Sequence, residues 1–102
     1  MYNTFMRVYS KSTLRDFWEK HADAEQPLKT WYAVSKAAKW NSTVDLKKHY
    51  PDASILSKNR VVFNIKGNDY GLAASIDYDK QRIFIRFVGT HKEYDIIDAK
   101  SI

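Results

Sequence analysis

The chain contains no cysteine, only three glycines and two prolines, and no apolar run near the roughly 18 residues that a membrane span requires. Each shortage removes a class of protein. Without cysteine there is no disulfide scaffold, no thiolate zinc site and no thiol nucleophile. A metal would have to rest on His21, His49, His91 and carboxylates, and these show no ligand spacing. Gly67, Gly71 and Gly89 are too scattered for a phosphate-cradling loop, so no cofactor is expected. The first seven residues lack the apolar stretch of a secretion signal, which predicts a cytoplasmic protein with no membrane partner.

What remains is the composition of one globular domain spanning residues 1–102: 44% hydrophobic and 15% aromatic. A chain of this length buries roughly 60 to 65% of the surface its unfolded form exposes. Lys and Arg number 17 against 12 Asp and Glu, a net charge of +5. The excess lies mainly in residues 1–51, with 9 basic and 5 acidic groups, against 8 and 7 in residues 52–102. Such a field favours polyanions or an acidic partner.

Hydrophobic periodicity changes along the chain. Residues from Met1 to Ser10 alternate loosely, which predicts a short first strand. Leu14, Phe17, Trp18 and His21 recur at helical spacing, predicting a helix over 13–22 capped by Ser12 or Thr13. Pro27 suits a first helical position, and Leu28, Trp31, Tyr32, Ser35 and Ala38 continue a second helix to about Lys39. Ser42 or Thr43 can cap a short third piece that Tyr50-Pro51 stops. Period two then governs Arg60 to Lys66, Tyr70 to Tyr78 and Arg82 to Val88, three strands of an antiparallel meander. Thr90-His91-Lys92-Glu93 has capping-box spacing and predicts a short helix from His91 to about Asp98. The expected class is α+β: a short N-terminal strand, two helices packed on an antiparallel sheet meander, and a short C-terminal helix.

Strand parity sorts the side chains into two faces. Val61, Phe63 and Ile65, then Tyr70, Leu72, Ala74, Ile76 and Tyr78, then Ile83, Ile85 and Phe87 are expected beneath the helices. The opposite face is expected to carry Arg60, Asn64, Lys66, Arg82 and Arg86 around Phe84, with Val88, over a floor of Gly71, Ala73 and Ser75. Cations for phosphates beside a ring for base stacking are what single-stranded RNA recognition uses. A solvated sheet face guarded by basic residues is the bland account of the same pattern. At the final turn His91, Tyr94 and Asp95 share one side of a helix start, where proton transfer at a phosphodiester is chemically possible. His21, on an apolar stripe, is expected as a packed ring and His49 as a solvated one; Trp18, Trp31 and Trp40 are expected as packing residues.

The run Val62-Phe63-Asn64-Ile65-Lys66-Gly67-Asn68-Asp69-Tyr70, then Ile83 to Val88 and Gly89-Thr90-His91-Lys92-Glu93-Tyr94-Asp95, resembles the HigB toxins of type II toxin–antitoxin systems, a branch of the RelE superfamily. The likeness extends upstream through Leu14-Arg15-Asp16-Phe17-Trp18 and Trp31 to Trp40. It implies a RelE-like fold and an endoribonuclease that cleaves messenger RNA in the ribosomal A site without metal. It also implies a HigA-type antitoxin with a helix-turn-helix portion, operator DNA being reached only through that complex. By the resemblance, the ribose 2'-hydroxyl attacks the adjacent phosphate, and Asn64, His91 and Tyr94 are catalytic positions. Lys66 stands where the family places polar or basic groups, and Arg60, Arg82, Phe84, Arg86 and Lys92 are expected to bind RNA. Gly71 departs from the pattern, which has an arginine there to hold the scissile phosphate. The departure implies a weakened toxin, with a silent RNA- or ribosome-binding module and a ParE-like interaction toxin as the alternatives.

Overall fold

Two periodicities divide the chain, and the computed structural model, which describes residues 6–97, follows both. In order come β1 (Arg7–Tyr9), α1 (Lys11–Lys20), a single 3-10 turn (Ala22–Ala24), α2 (Glu25–Ala37), α3 (Thr43–His49), β2 (Ser54–Ile55), β3 (Arg60–Ile65), β4 (Tyr70–Asp77), β5 (Arg82–Thr90) and α4 (His91–Asp95). The expected ends at Met1 and Asp98 lie outside the described residues. No helix among the described residues is long and apolar enough to cross a membrane.

The sheet has the order β1-β5-β4-β3-β2. The expected meander is its centre, β3, β4 and β5 pairing antiparallel. The sheet as a whole is mixed, because β1 runs parallel to β5 with Val8 opposite Ile83. The two-residue β2, too short to show an alternation, adds the far edge by pairing Ser54 with Val62. Beneath one face, Leu14 of α1, Leu28 and Trp31 of α2 and Leu46 of α3 close on Phe63, Leu72, Ile76 and Ile83 in one apolar cluster. Each such fully buried aliphatic side chain contributes about 1.5–3 kcal/mol. Trp31 and Trp40 meet Phe63 at ring distances of 5.4 and 6.3 Å, so these tryptophans are packing residues. His49 is exposed as expected, but its Nδ1 also accepts a 2.8 Å hydrogen bond from the buried Trp40 Nε1.

Helix boundaries differ from the spacing argument for local reasons. Ser10 takes the left-handed conformation (φ 72°) and turns the chain directly from β1 into α1, so Ser12 and Thr13 fall within the first turn and neither is the cap. The second helix begins two residues before Pro27. A proline costs little there, since N–H groups of a first turn have no helical partner. It ends at Ala37, where Ala38 becomes extended. At the last helix the capping box is complete: Thr90 Oγ1 accepts from Glu93 N at 3.1 Å, and Glu93 Oε1 accepts from Thr90 N at 2.8 Å.

Candidate functional site

Helices α1 and α2 cover one face of the sheet, and α4 lies against the other, where Tyr94 and Ile97 pack with Val62, Ala73, Leu56 and Phe87. Cross-strand register arranges this second face in rows about 7 Å apart. The outermost row is Arg7, Arg82 and Asp77; next come Tyr9, Phe84, Ser75 and Arg60; then Phe87, Ala73 and Val62; finally Gly89, Gly71 and Asn64.

The alternation of β5 does not survive to its end. A register shift between Ala73 and Ala74 pairs Ala74 with Ile85 and Ala73 with Phe87, leaving Arg86 as an extra residue. Past that point parity inverts. Phe87 belongs to the α4 face and Val88 to the helix-covered core, the reverse of the expectation for both. Arg86 stays exposed, its Nε donating to Ser75 Oγ at 3.1 Å and its guanidinium 5.6 Å from the Phe84 ring centre. Tyr9 also stacks on Phe84, its ring centre 5.0 Å away and 13° from parallel. Sequence reasoning missed Tyr9, because only the parallel pairing of β1 with β5 brings it there. Arg60 occupies the same row, its Nη1 donating to the Lys58 carbonyl at 3.2 Å.

The expected single trough is therefore two regions. The outer rows form an arginine and aromatic surface, while α4 covers the floor at Gly71 and Ala73. Tyr94 lies over Gly71: a methyl group at position 71 would sit 3.9 Å from the Tyr94 ring and its Cβ, an ordinary contact. The cross-strand partner Gly89 is crowded instead, for a methyl there would approach Phe87 Cζ to 2.5 Å and Glu93 Oε1 to 3.0 Å. His91 stands edge-on to Tyr94, ring centres 6.4 Å apart, and its Nε2 is buried with no hydrogen-bond partner. Asn64, opposite Gly71, donates to the Asp52 carboxylate at 3.2 Å, a contact from the loop before β2 that sequence spacing does not reveal. Lys92 and Asp95 are exposed on α4.

Lys66 is not on this face. The strand ends at Ile65, and Lys66 takes a left-handed turn conformation (φ 53°) that breaks the alternation. Its ammonium reaches Asp23 at 2.7 Å and Asp69 at 3.4 Å. Asp23 also accepts the Tyr70 hydroxyl. These hydrogen bonds, Lys66 first, hold the Asp23 carboxyl below its ordinary value; the bond to Asp23 pushes Lys66 and Tyr70 up. Nearby, His21 is the packed ring expected, 4.3 Å from Phe17 and stacked on it. Nor is the start of α4 a bare anion seat: the capping box occupies two of its N–H groups, and the hydrogen bond from the Thr90 backbone holds the Glu93 carboxyl below its ordinary value.

The surface thus pairs cations and rings with a histidine–tyrosine corner, the elements of RNA backbone chemistry. Residues 24–97 match the family HigB_toxin, described as the RelE-like toxic component of a toxin–antitoxin system. Over 97 residues the chain is 29% identical to the mRNA interferase toxin HigB of Escherichia coli (strain K12), with 92% of each chain covered. The same identity and coverage hold for the mRNA interferases HigB of Escherichia coli O157:H7 and Shigella flexneri. The match takes in every residue of the corner and all of the face except the β1 contribution, and the chain belongs to the HigB family, the RelE-like toxic components of toxin–antitoxin systems, which carries with it an antitoxin partner.

Proposed function

We propose that this toxin is a ribosome-dependent endoribonuclease that cleaves messenger RNA in the ribosomal A site. It acts in the cytoplasm and is restrained by a HigA-type helix-turn-helix antitoxin, meeting operator DNA only through that complex. The relatives' name, mRNA interferase, favours this over a gyrase-directed activity. The observation that carries the reading is the corner itself: Tyr94 laid over Gly71 with His91 beside it, at one end of a face bearing Phe84, Arg86 and Arg60.

In the reaction so assigned, the ribose 2'-oxygen attacks the adjacent phosphorus as its proton leaves to a base. The bond to the 5'-oxygen breaks, that oxygen takes a proton, and a 2',3'-cyclic phosphate remains. His91 is the proton carrier; its Nε2 holds no hydrogen bond among the described residues but is buried, so seating of the RNA has to uncover it. Tyr94 orients the scissile nucleotide, and Asn64 donates to it once released from Asp52. Phe84 stacks on a flanking base and Arg60 and Arg86 hold flanking phosphates, because the Phe84–Arg60 row lies two row spacings, about 14 Å, from Gly71, and Arg86, unpaired at the bulge, reaches Ser75 of that row. Arg82, beside Asp77, and the exposed Lys92 serve as peripheral phosphate contacts. Lys66, engaged by two carboxylates, is withdrawn from the role.

No cation projects from position 71. An arginine there would supply a charge-assisted phosphate contact worth about 3–4 kcal/mol in the transition state, or roughly 10²–10³-fold in rate, by the scale of oxyanion donors. The test is primer extension on a reporter messenger in a translating extract, comparing the chain with Gly71→Arg, His91→Ala and Tyr94→Phe. Gly71→Arg is expected to raise cleavage and the other two to lower it. Cleavage unchanged in both His91→Ala and Tyr94→Phe removes the site assignment. Cutting by neither the parent nor Gly71→Arg, with RNA still retained, leaves a silent RNA-binding module, the second reading that Gly71 and the engaged Lys66 favour.

A further inference from the structure

The outer surface of the helical layer has a groove that the proposed nuclease does not use. Between α1 and α2, Leu14, Trp18 and Tyr32 make an apolar floor and Lys11, Arg15 and Lys29 a basic rim around about 440 Å³. Past Tyr32 the groove continues into a second hollow, between α2 and β1, whose charged lining is Arg7 and Lys36. Among the described residues no carboxylate lines either hollow, although Glu25 pairs with Lys29 one helical turn away. An apolar floor between two helices with cations along both walls fits a helix that is acidic on its flanks and apolar on one stripe.

The same geometry argues against RNA as the occupant. Both rings are already faced by ammonium groups: Lys11 Nζ lies 4.6 Å and Lys36 Nζ 5.7 Å from the Tyr32 ring centre, and Lys29 Nζ lies 5.3 Å from that of Trp18. A stacking base has to displace these cations, whereas a carboxylate approaches them from the open side and leaves them in place. We infer that this groove seats an acidic amphipathic helix of the antitoxin, its carboxylates on Lys11, Arg15 and Lys29 and its apolar side chains against the half-buried Trp18 and Tyr32. The inference rests on membership of the toxin family and is independent of whether this copy cleaves RNA.

The absence of cysteine makes the test direct. Ser12→Cys, at the groove, gives a single attachment point for an environment-sensitive fluorophore. The probes are a synthetic helix of about five turns with leucine at i, i+3, i+4 and i+7 and glutamate elsewhere, the same peptide with lysine for glutamate, and a single-stranded oligouridylate. The acidic helix is expected to shift the fluorophore at least about tenfold more tightly than the basic one. Lys11→Glu/Arg15→Glu is expected to abolish that preference, while Lys58→Glu, between β2 and β3 at the opposite edge of the sheet from β1, keeps it. A thermal melt of the double variant checks that these exposed positions leave the fold intact. Equal binding of the two peptides, no binding of the acidic one, indifference to the double reversal, or a response to oligouridylate instead overturns the inference. None of these outcomes depends on cleavage.

Discussion

Gly71 and Gly89 are direct cross-strand partners on the same face, yet the structure assigns them opposite responses to a methyl group. At Gly89 the new carbon would meet Phe87 Cζ at 2.5 Å and Phe87 Cε2 at 3.1 Å. That ring is held among Val62, Ala73, Tyr94 and Ile97, so its displacement is not free. The methyl also presses on Glu93 Oε1, which accepts the capping bond from Thr90 N. Overpacking of this kind costs about 1–3 kcal/mol, offset by about 0.5–1 kcal/mol because alanine loses less chain entropy than glycine on folding. The net expectation for Gly89→Ala is a loss of about 1–2 kcal/mol, lowering Tm by about 5–15 °C in a domain of this size. At Gly71 the nearest atoms are 3.9 Å away, so Gly71→Ala retains the entropic gain and is neutral or slightly stabilising. Paired thermal and urea melts measure both. Equal shifts in the two variants, or a larger loss at Gly71, would refute the placement of Phe87 and α4.

Thr90→Ala removes one arm of the capping box and is expected to cost about 1 kcal/mol, with cleavage falling further than stability because α4 carries His91 and Tyr94; equal losses in the two assays would count against that link. Asp23 and Glu93 both have lowered pKa values, so their stabilisation is present above their ordinary values of 3.8 and 4.5 and is lost as pH falls through the folded ones. Lys66 and Tyr70 are raised, so theirs is present below 10.5 and 10.0 and is lost as pH rises through the folded values. Urea melts across pH should show both limbs, and Asp23→Asn should flatten the alkaline one and leave the acid one only its Glu93 part; an unchanged alkaline limb would argue against the Asp23 clip. Arg86→Ala is expected to weaken RNA binding uniformly across sequences and to reduce the salt slope by about one, as loss of one phosphate contact requires; filter binding over a salt series gives the slope.

The long elements were legible because each carries many repeats of its period. Six or more residues of alternation identified β3, β4 and β5, and Thr90 with Glu93 announced a cap that the structure forms completely. What escaped was decided by single residues or by distant pairing. Nothing in Ile85-Arg86-Phe87 marks Arg86 as an extra residue, because the register is settled by β4 and by the apolar pocket that draws in Phe87. Lys66 follows the strand alternation in sequence and departs from it only through its left-handed turn and the pull of Asp23, 43 positions earlier. Tyr9 reaches the site through a strand of three residues, below the length at which a period is visible, and Asp52 through the loop before β2, which has no period at all.

The parallel contact between β1 and β5 also governs when the molecule becomes complete during synthesis. Translation delivers β1 first, yet its sheet partner is the last strand to be made, and the aromatic stack of Tyr9 on Phe84 waits for the same event. Until Arg82–Thr90 has emerged, α1 lacks the strand it packs on and α4 has no strand to follow. Such non-local closure comes late, since loop entropy is spent before the contacts that offset it can form. The face proposed to meet RNA, with its Phe84 and Arg86, is therefore incomplete until residues 82–90 have been made.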